Sequence, residues 1–293
     1  MLPLVAAHAL AVGLALMPQP VPRFPDTIAG TNVAVFFDSP YGVRPTRVDL
    51  LGDGHPLGQA RTVAVPTGCF YAAATPTRVG FTCPAPHASS GITFVLRDIA
   101  NGQIVAPPAA AAVEALPRPG LGLDGGYAVD GIGQALVAVA FSSDHSTYDT
   151  LLPMGGGPPL MTTPVQGGRQ IVDLDRPTGL RTLCAPLRVR RRDLVTYRPP
   201  WLLTQQSLGR ARLRHCGSTH VTDLGPLRAN AVLTDRYLAW ARGDVLRVRR
   251  LADGRTRHIA FPHATRPFNY LAGTNHRLWI DRNKGQPSML ELR

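Results

Sequence analysis

The chain has 293 residues, more than the usual single-domain length, yet closed β architectures reach this size around one continuous core, so one folded domain is expected. Only 17% of residues are charged, 28 are proline and 29 glycine, and two glutamates (Glu114, Glu291) and one lysine (Lys284) occur. Helices carry Glu and Lys on their wet faces, so this balance excludes a mainly helical protein, while the net charge of +12 favours anionic partners such as acidic glycans, phosphate polymers or anionic headgroups.

Residues 2–17 carry no formal charge, and Pro18, Pro20 and Pro22 then stop any helix. A run of 16 is short of the roughly 20 residues a membrane span requires and suits the core of a signal peptide. Residues 1–22 are therefore read as a leader, 23–30 as a linker or closure strand and 31–293 as the folded domain, with no transmembrane segment. The location implied is secreted or extracytoplasmic, at the cell envelope. Four cysteines, Cys69, Cys83, Cys184 and Cys216, agree with an oxidising compartment, and none forms a Cys-x-x-Cys pair of the kind that ligates metal.

Apolar-alternating runs at 32–38, 46–51 and 61–65 read as the later strands of a first unit that lacks its innermost strand. A second unit spans 69–73, 78–83, 92–99 and 103–106, with a turn at Ala100-Asn101-Gly102. Cys69 and Cys83 stand symmetrically about Pro76, so a hairpin turning there places them opposite one another, within disulfide reach. Residues 107–125 are low in complexity and read as a connection. The third unit has strands at 127–129 and 135–141, a long irregular insertion at about 142–167, and strands at 169–174 and 180–184.

The fourth unit runs 193–197, 201–205, 210–215 and 220–224. By elimination Cys184 pairs with Cys216; the strand assignment sets the two on opposite rims, so either the local register differs or both are free thiols. The fifth unit is the clearest: strands at 230–233, 236–241, 244–251 and 255–261, separated by Thr234-Asp235, Arg242-Gly243 and Ala252-Asp253-Gly254. The sixth, 268–272, 276–280 and 288–292, ends one strand short.

Trp201, Trp240 and Trp279 sit 39 residues apart, and a period near forty carrying four strands marks a propeller blade. The fold expected is all-β: a single β-propeller of four-stranded antiparallel blades, six by this count with five or seven as alternatives. Its ring closes by pairing residues 23–32 with 288–292. Tyr237-Leu238-Ala239-Trp240 and Leu251-Ala252-Asp253-Gly254-Arg255 resemble the TolB-like and WD-repeat class of β-propellers, well over residues 185–293 and loosely over 31–184.

Most individual motifs have a plain structural reading. Arg242-Gly243-Asp244 matches the adhesion tripeptide, but a hairpin needs that glycine. The tryptophans suit packing between repeats better than sugar stacking. His215 and His220 around Cys216, and Asp144, His145 and Asp149, supply no three convergent ligands, so no metal or other cofactor is expected. The basic run at 188–192 reads as a solvated connection, and export removes nucleic acid as a partner.

Glycan cleavage requires paired carboxylates, for which only aspartates such as Asp124, Asp130 and Asp193 are available; sialidase-type Ser-x-Asp-x-Gly-x-Thr-Trp boxes and a Gly-x-Ser-x-Gly elbow are absent from the sequence. The function expected is a monomeric, non-enzymatic binding or scaffold propeller for an anionic polymer or a protein partner, with a glycan-active hydrolase or lyase as the alternative. Aligning Leu194, Val232 and Tyr270 as equivalent inner-strand positions, 38 residues apart, brings Arg190, Arg228 and Arg266 to one rim. Three converging guanidiniums with few carboxylates nearby predict a site for a phosphate- or carboxylate-bearing ligand.

Overall fold

In a computed structural model the chain is described over residues 18–29, 31–40, 43–74, 76–84, 92–105, 123–129, 135–142, 150–152, 160–165, 168–173, 194–206, 209–227, 229–260, 268–282 and 285–292. Strands dominate these residues. Thr27–Ala29 (β2), Val33–Phe37 (β3), Arg47–Gly52 (β4) and Arg61–Ala64 (β5) form an antiparallel sheet in chain order. Phe70–Ala74 (β6), Arg78–Pro84 (β7), Ile92–Asp98 (β8) and Ile104–Val105 (β9) form the next. Leu123–Val129 (β10) and Ala135–Ser142 (β11) make a pair, and Thr150–Leu152 (β12), Leu160–Val165 (β13) and Gly168–Asp173 (β14) a triple.

Leu194–Arg198 (β15), Trp201–Gln205 (β16), Arg210–His215 (β17) and Val221–Pro226 (β18) return to four strands. So do Val232–Leu233 (β19), Tyr237–Arg242 (β20), Val245–Arg250 (β21) and Thr256–Ala260 (β22). Phe268–Gly273 (β23), Arg277–Arg282 (β24) and Ser288–Glu291 (β25) complete the set, with Gln19–Pro20 (β1) added on β25. Among the described residues no helix is long and apolar enough to cross a membrane.

The pattern within each sheet follows from what its strands face. Successive side chains of a strand point to opposite sides, so a strand covered on both sides must be apolar throughout. The second strands meet this demand: VAVFF in β3 and YLAWAR in β20 are buried at nearly every position. The third strands β17 and β21 are covered less completely and alternate: in β17 only Ala211 and Leu213 are buried between arginines, and in β21 only Leu246 and Val248.

Neighbouring sheets meet through their inner strands: β23 beside β2, β6 beside β11, β11 beside β12, β12 beside β15, β15 beside β19 and β19 beside β23. The β2–β5 and β6–β9 sheets share a core that includes Val33, Val35, Val48, Leu50, Val79 and Phe81. The sheets thus follow one another in a closed circuit, and the chain is a β-propeller.

Two details differ from the sequence expectation. The ring does close through both termini, but with Gln19 opposite Met289 and Pro20 opposite Ser288. Val21 then donates its N–H to the Pro287 carbonyl at 2.9 Å and buries its side chain with Ala34, Phe36, Leu51, Trp279 and Met289. Residues 27–29 instead pair with Val33–Val35 as the innermost strand of the first sheet. Pro22 and Pro25 explain the division, because neither has an N–H with which to continue a ladder. Secondly, the stretch read as one unit with an irregular insertion holds two sheets, since β12 and β13 pair inside that insertion. Seven sheets, two with fewer than four strands among the described residues, occupy the circuit that the sequence divides into six units.

The repeat between the last two sheets is forty residues. Val232 pairs with Ala239, and Ala272 with Trp279, so Trp279 is the counterpart of Ala239 and not of Trp240. A one-residue offset turns a strand side chain to the other face. Trp240 accordingly packs with Leu203 and Leu213 of the preceding sheet, and Trp279 with Ala34, Phe36 and Leu51 of the following one.

Cys69 and Cys83 are disulfide-bonded, with Cα atoms 4.2 Å apart. Replacing both with serine opens a loop spanning 14 positions of sequence. The expected loss is roughly 3 kcal/mol, read as a lower urea midpoint, and peptide mapping of the native protein without reduction recovers the cross-linked pair. Deleting residues 286–293 removes β25, which uncovers Trp279 and severs the pairing with β1. The truncated chain is expected to lose its cooperative thermal transition; an unchanged melting temperature would show that the two termini do not close the ring.

Candidate functional site

Arg190, Arg228 and Arg266 lie outside the described residues, as do Asp130, Asp193, Cys184, the segment Asp144 to Asp149 and the basic run at 188–192. The register that grouped the three arginines does shift: the forty-residue repeat makes Ala272, not Tyr270, the counterpart of Val232. Asp124 falls on the two-stranded sheet, opposite Phe141. Cys216 is disulfide-bonded, which removes the free-thiol alternative for it. His215 packs edge-on against Trp201 with ring centroids 4.9 Å apart, and among the described residues no group of three His, Cys, Asp or Glu side chains is placed to hold a metal ion. Arg242-Gly243-Asp244 forms the β20–β21 hairpin, with Gly243 at φ +62° as the turn demands.

Two features stand out instead. The first is a polar seam where the last sheets meet the first. The turns after three inner strands carry Thr31-Asn32, Thr234-Asp235 and Thr274-Asn275, and all three threonines are buried. Asn275 is the hub. Its Nδ2 donates to Asp235 Oδ2 at 2.9 Å, to Asn32 Oδ1 at 3.1 Å and to Thr31 Oγ1 at 3.2 Å, and its Oδ1 accepts the Asp235 N–H at 2.9 Å. Thr31 Oγ1 donates to Asp235 Oδ2 at 2.6 Å, and Thr274 donates its hydroxyl to Asp53 Oδ1.

Arg236 and His276 extend the seam. A guanidinium can only donate, so the 2.6 Å contact from Arg236 makes His276 Nε2 the acceptor and puts the ring proton on Nδ1, 3.4 Å from Asp53 Oδ2. The buried Arg277 donates to the carbonyls of His55 and Gly52. Burial also pushes the Arg198 guanidinium down from its ordinary range, and the charge of Asp235 opposes that shift.

The second feature is an arginine-bearing arc. Residues 194–260 contain twelve arginines against four aspartates, whereas residues 18–105 contain six and five. Arg210, Arg212, Arg242, Arg250, Arg255 and Arg257 are exposed. Asp253 neutralises part of this: Arg250 hydrogen-bonds to it and Arg255 lies 3.6 Å away, holding its carboxyl well below the usual carboxylate range. No ion pair engages Arg212, Arg242 or Arg257 among the described residues. The alternation of β17 and β21 sets part of this pattern, turning Ala211, Leu213, Leu246 and Val248 inward and leaving Arg210, Arg212 and, at the end of β21, Arg250 exposed.

The seam escaped the sequence reading, although Ala-Gly-Thr-Asn occurs at both 29–32 and 272–275 and marks two of its turns. Replacing Asn275 with alanine removes bonds to three partners in two neighbouring sheets. The expected loss is about 1–3 kcal/mol, measured by urea unfolding, and the same change at exposed Asn101, which accepts one hydrogen bond within its own turn, should cost less.

No family model matches the chain, and no curated protein matches it. Solved structures similar to it include BamB from Moraxella catarrhalis, 17% identical with a TM-score of 0.39, covering 89% of this chain and 82% of that one. The computationally designed Ika8 protein is 12% identical with a TM-score of 0.40, covering 89% and 83%. The Myceliophteria thermophila Cps50 (Swd1) β-propeller domain is 11% identical with a TM-score of 0.41, covering 94% and 100%. At such identities none of those proteins' properties transfers to this chain.

Proposed function

We propose that this protein is a non-enzymatic binding propeller that holds an extended polyanion against the exposed arginines of the β15–β18 and β19–β22 sheets. The observation that carries this reading is the charge asymmetry: a surplus of eight positive charges within residues 194–260, against a surplus of one within residues 18–105. The exposed guanidiniums are spread over strands of two sheets rather than gathered in a pocket, which suits an acidic polymer better than a small anion. Arginine adds planar, bidentate recognition of carboxylate and phosphate to simple charge attraction.

The Cys69–Cys83 disulfide supports an oxidising, extracytoplasmic compartment. Acidic cell-envelope polymers are the class of ligand such a compartment offers. The leader then ends before Gln19, because β1 and Val21 belong to the closing sheet. Arg190, Arg228 and Arg266 are sequence-level candidates to extend the same surface.

The test is retention on an immobilised polyanion at two salt concentrations, comparing the native protein with the Arg212→Gln, Arg242→Gln, Arg257→Gln triple variant. Retention of the native protein should weaken as salt screens the charges. The variant should elute at lower salt with its melting temperature unchanged, since those side chains form no ion pair among the described residues. Equal, salt-independent retention of the two proteins would overturn the proposal.

A further inference from the structure

The two rims of the ring differ in what they expose. The turns after the inner strands carry the seam, whereas the opposite rim is built from the starts of the inner strands and the hairpins that join second strands to third. Between the closing sheet and the β6–β9 sheet, this second rim holds three guanidiniums over phenylalanine rings. Arg282 lies over Phe268, Arg23 over Phe36 and Arg44 over Phe70, at 5.8, 5.3 and 4.3 Å from the ring centroids. In the first two pairs the ring belongs to the core, Phe268 being 3% and Phe36 8% exposed, and the arginine covers it. Phe70, at the start of β6, differs. It stays 45% exposed with Arg44 in place, and Val43, next to that arginine in the chain, is 58% exposed.

The turn that presents Val43 and Arg44 is tied down. Asp38 accepts the Thr46 hydroxyl, which holds its carboxyl below the usual carboxylate range, and the Thr46 N–H at 2.9 Å. Val43 donates its N–H to the Pro40 carbonyl at 3.1 Å, and its own carbonyl accepts the Ser39 hydroxyl at 3.0 Å. Phe70 is fixed from the other side, because Cys69 beside it is buried and bonded to Cys83. A partner therefore meets a preorganised surface, which lowers the ordering entropy that binding costs.

Charge on this part of the rim is uneven. Asp26, Asp38 and Asp281 are already engaged, by Arg23 and the Phe37 N–H, by Thr46 and by Asn269, whereas Arg44 forms no ion pair among the described residues. Charge complementarity thus calls for a carboxylate. An exposed aromatic ring, an aliphatic side chain and an arginine in one cluster match the composition of protein-interface hot spots. With a guanidinium already over the Phe70 ring and an aliphatic group beside it, the cluster suits an apolar side chain better than a sugar face.

We propose that Val43, Arg44 and Phe70 form a docking site for a protein partner that presents an aliphatic or aromatic side chain beside a carboxylate. The apolar group packs on Phe70 and Val43. The carboxylate accepts from Arg44, whose N–H groups lie at the edge of the guanidinium and stay available while its face rests on the ring. The site stands on sheets of little net charge and does not depend on the arginine-bearing arc.

The probe is a display library of random peptides selected on the native full chain. The Arg212→Gln, Arg242→Gln, Arg257→Gln variant serves as a second bait, so that peptides held only by the arc are discarded. Recovered peptides should share an Asp or Glu beside a Leu, Phe or Trp and bind both baits alike. Phe70→Ser, Val43→Asp and Arg44→Gln, made singly, should each weaken that binding roughly tenfold or more with the melting temperature unchanged. Where Phe70→Ser lowers the melting temperature, the two exposed turn variants decide. Recovery of no peptide that tells the native chain from these variants overturns the proposal. So does binding to phosphatidylglycerol vesicles that the same substitutions abolish, which would make the patch a lipid contact.

Discussion

Burial of the second strands on both faces is the constraint from which the architecture follows. Val33, Ala34 and Val35 in β3 are at most 1% exposed, and since neighbours on a strand face opposite ways, both sides of the sheet are dry there. Leu238 to Ala241 and Leu278 to Ile280 repeat the arrangement. An open stack of such sheets would leave two apolar faces in water, at about 1.5–3 kcal/mol for each large side chain exposed. A circuit leaves none. The pairing of β1 with β25 that completes it spans two residue pairs, far too few to hold two ends of a chain together. The energy of closure resides in the faces that Trp279, Met289, Phe36, Leu51 and Val21 press together, and the short ladder sets their register.

Apolar faces slide easily past one another, and the polar seam opposes sliding. Thr234 and Thr274 occupy equivalent places but are used differently. The Thr234 hydroxyl stays within its own turn, accepting the N–H groups of Arg236 and Tyr237, whereas Thr274 reaches across to Asp53 in the next sheet. Asn275 likewise bonds forward to Thr31 and Asn32 and back to Asp235. The bonds from Thr274 to Asp53 and from Asn275 to Thr31 and Asn32 fall at the junction where residues from the two ends of the chain meet and no covalent connection sets the register, while Asn230 makes a comparable pair of bonds to the Leu271 backbone between consecutive sheets.

The parts of this fold legible in the sequence are those with sharp alternation and well-marked turns. RARLRH and VLRVRR announce half-covered strands, and Gly217, Gly243 and Gly254 stand at positive φ in the turns where punctuation was read. The inner strand Thr27–Ala29 and the closing pair Gln19–Pro20 are too short to show any period and sit among prolines. The tryptophan spacing of 39 revealed the repeat while misplacing its register by one residue, because a large side chain can fill the space between sheets from either face. The seam left a trace in its repeated Ala-Gly-Thr-Asn, but the copies stand 243 residues apart and become neighbours only once the ring closes.

Charge is divided around the circuit as sharply as hydrophobicity is layered across it. The β15–β22 sheets carry the positive surplus; the β2–β9 sheets are close to neutral, separated from them by the closing sheet on one side and by β10 to β14 on the other. Fields from exposed charges fade within about 8 Å at physiological ionic strength, less than the width of one intervening sheet layer of about 10 Å. Where charge from the arc does reach the first sheet it is by contact through the seam: Thr31 donates to Asp235 at 2.6 Å, and Arg236 meets His276, whose Nδ1 stands 3.4 Å from Asp53 Oδ2.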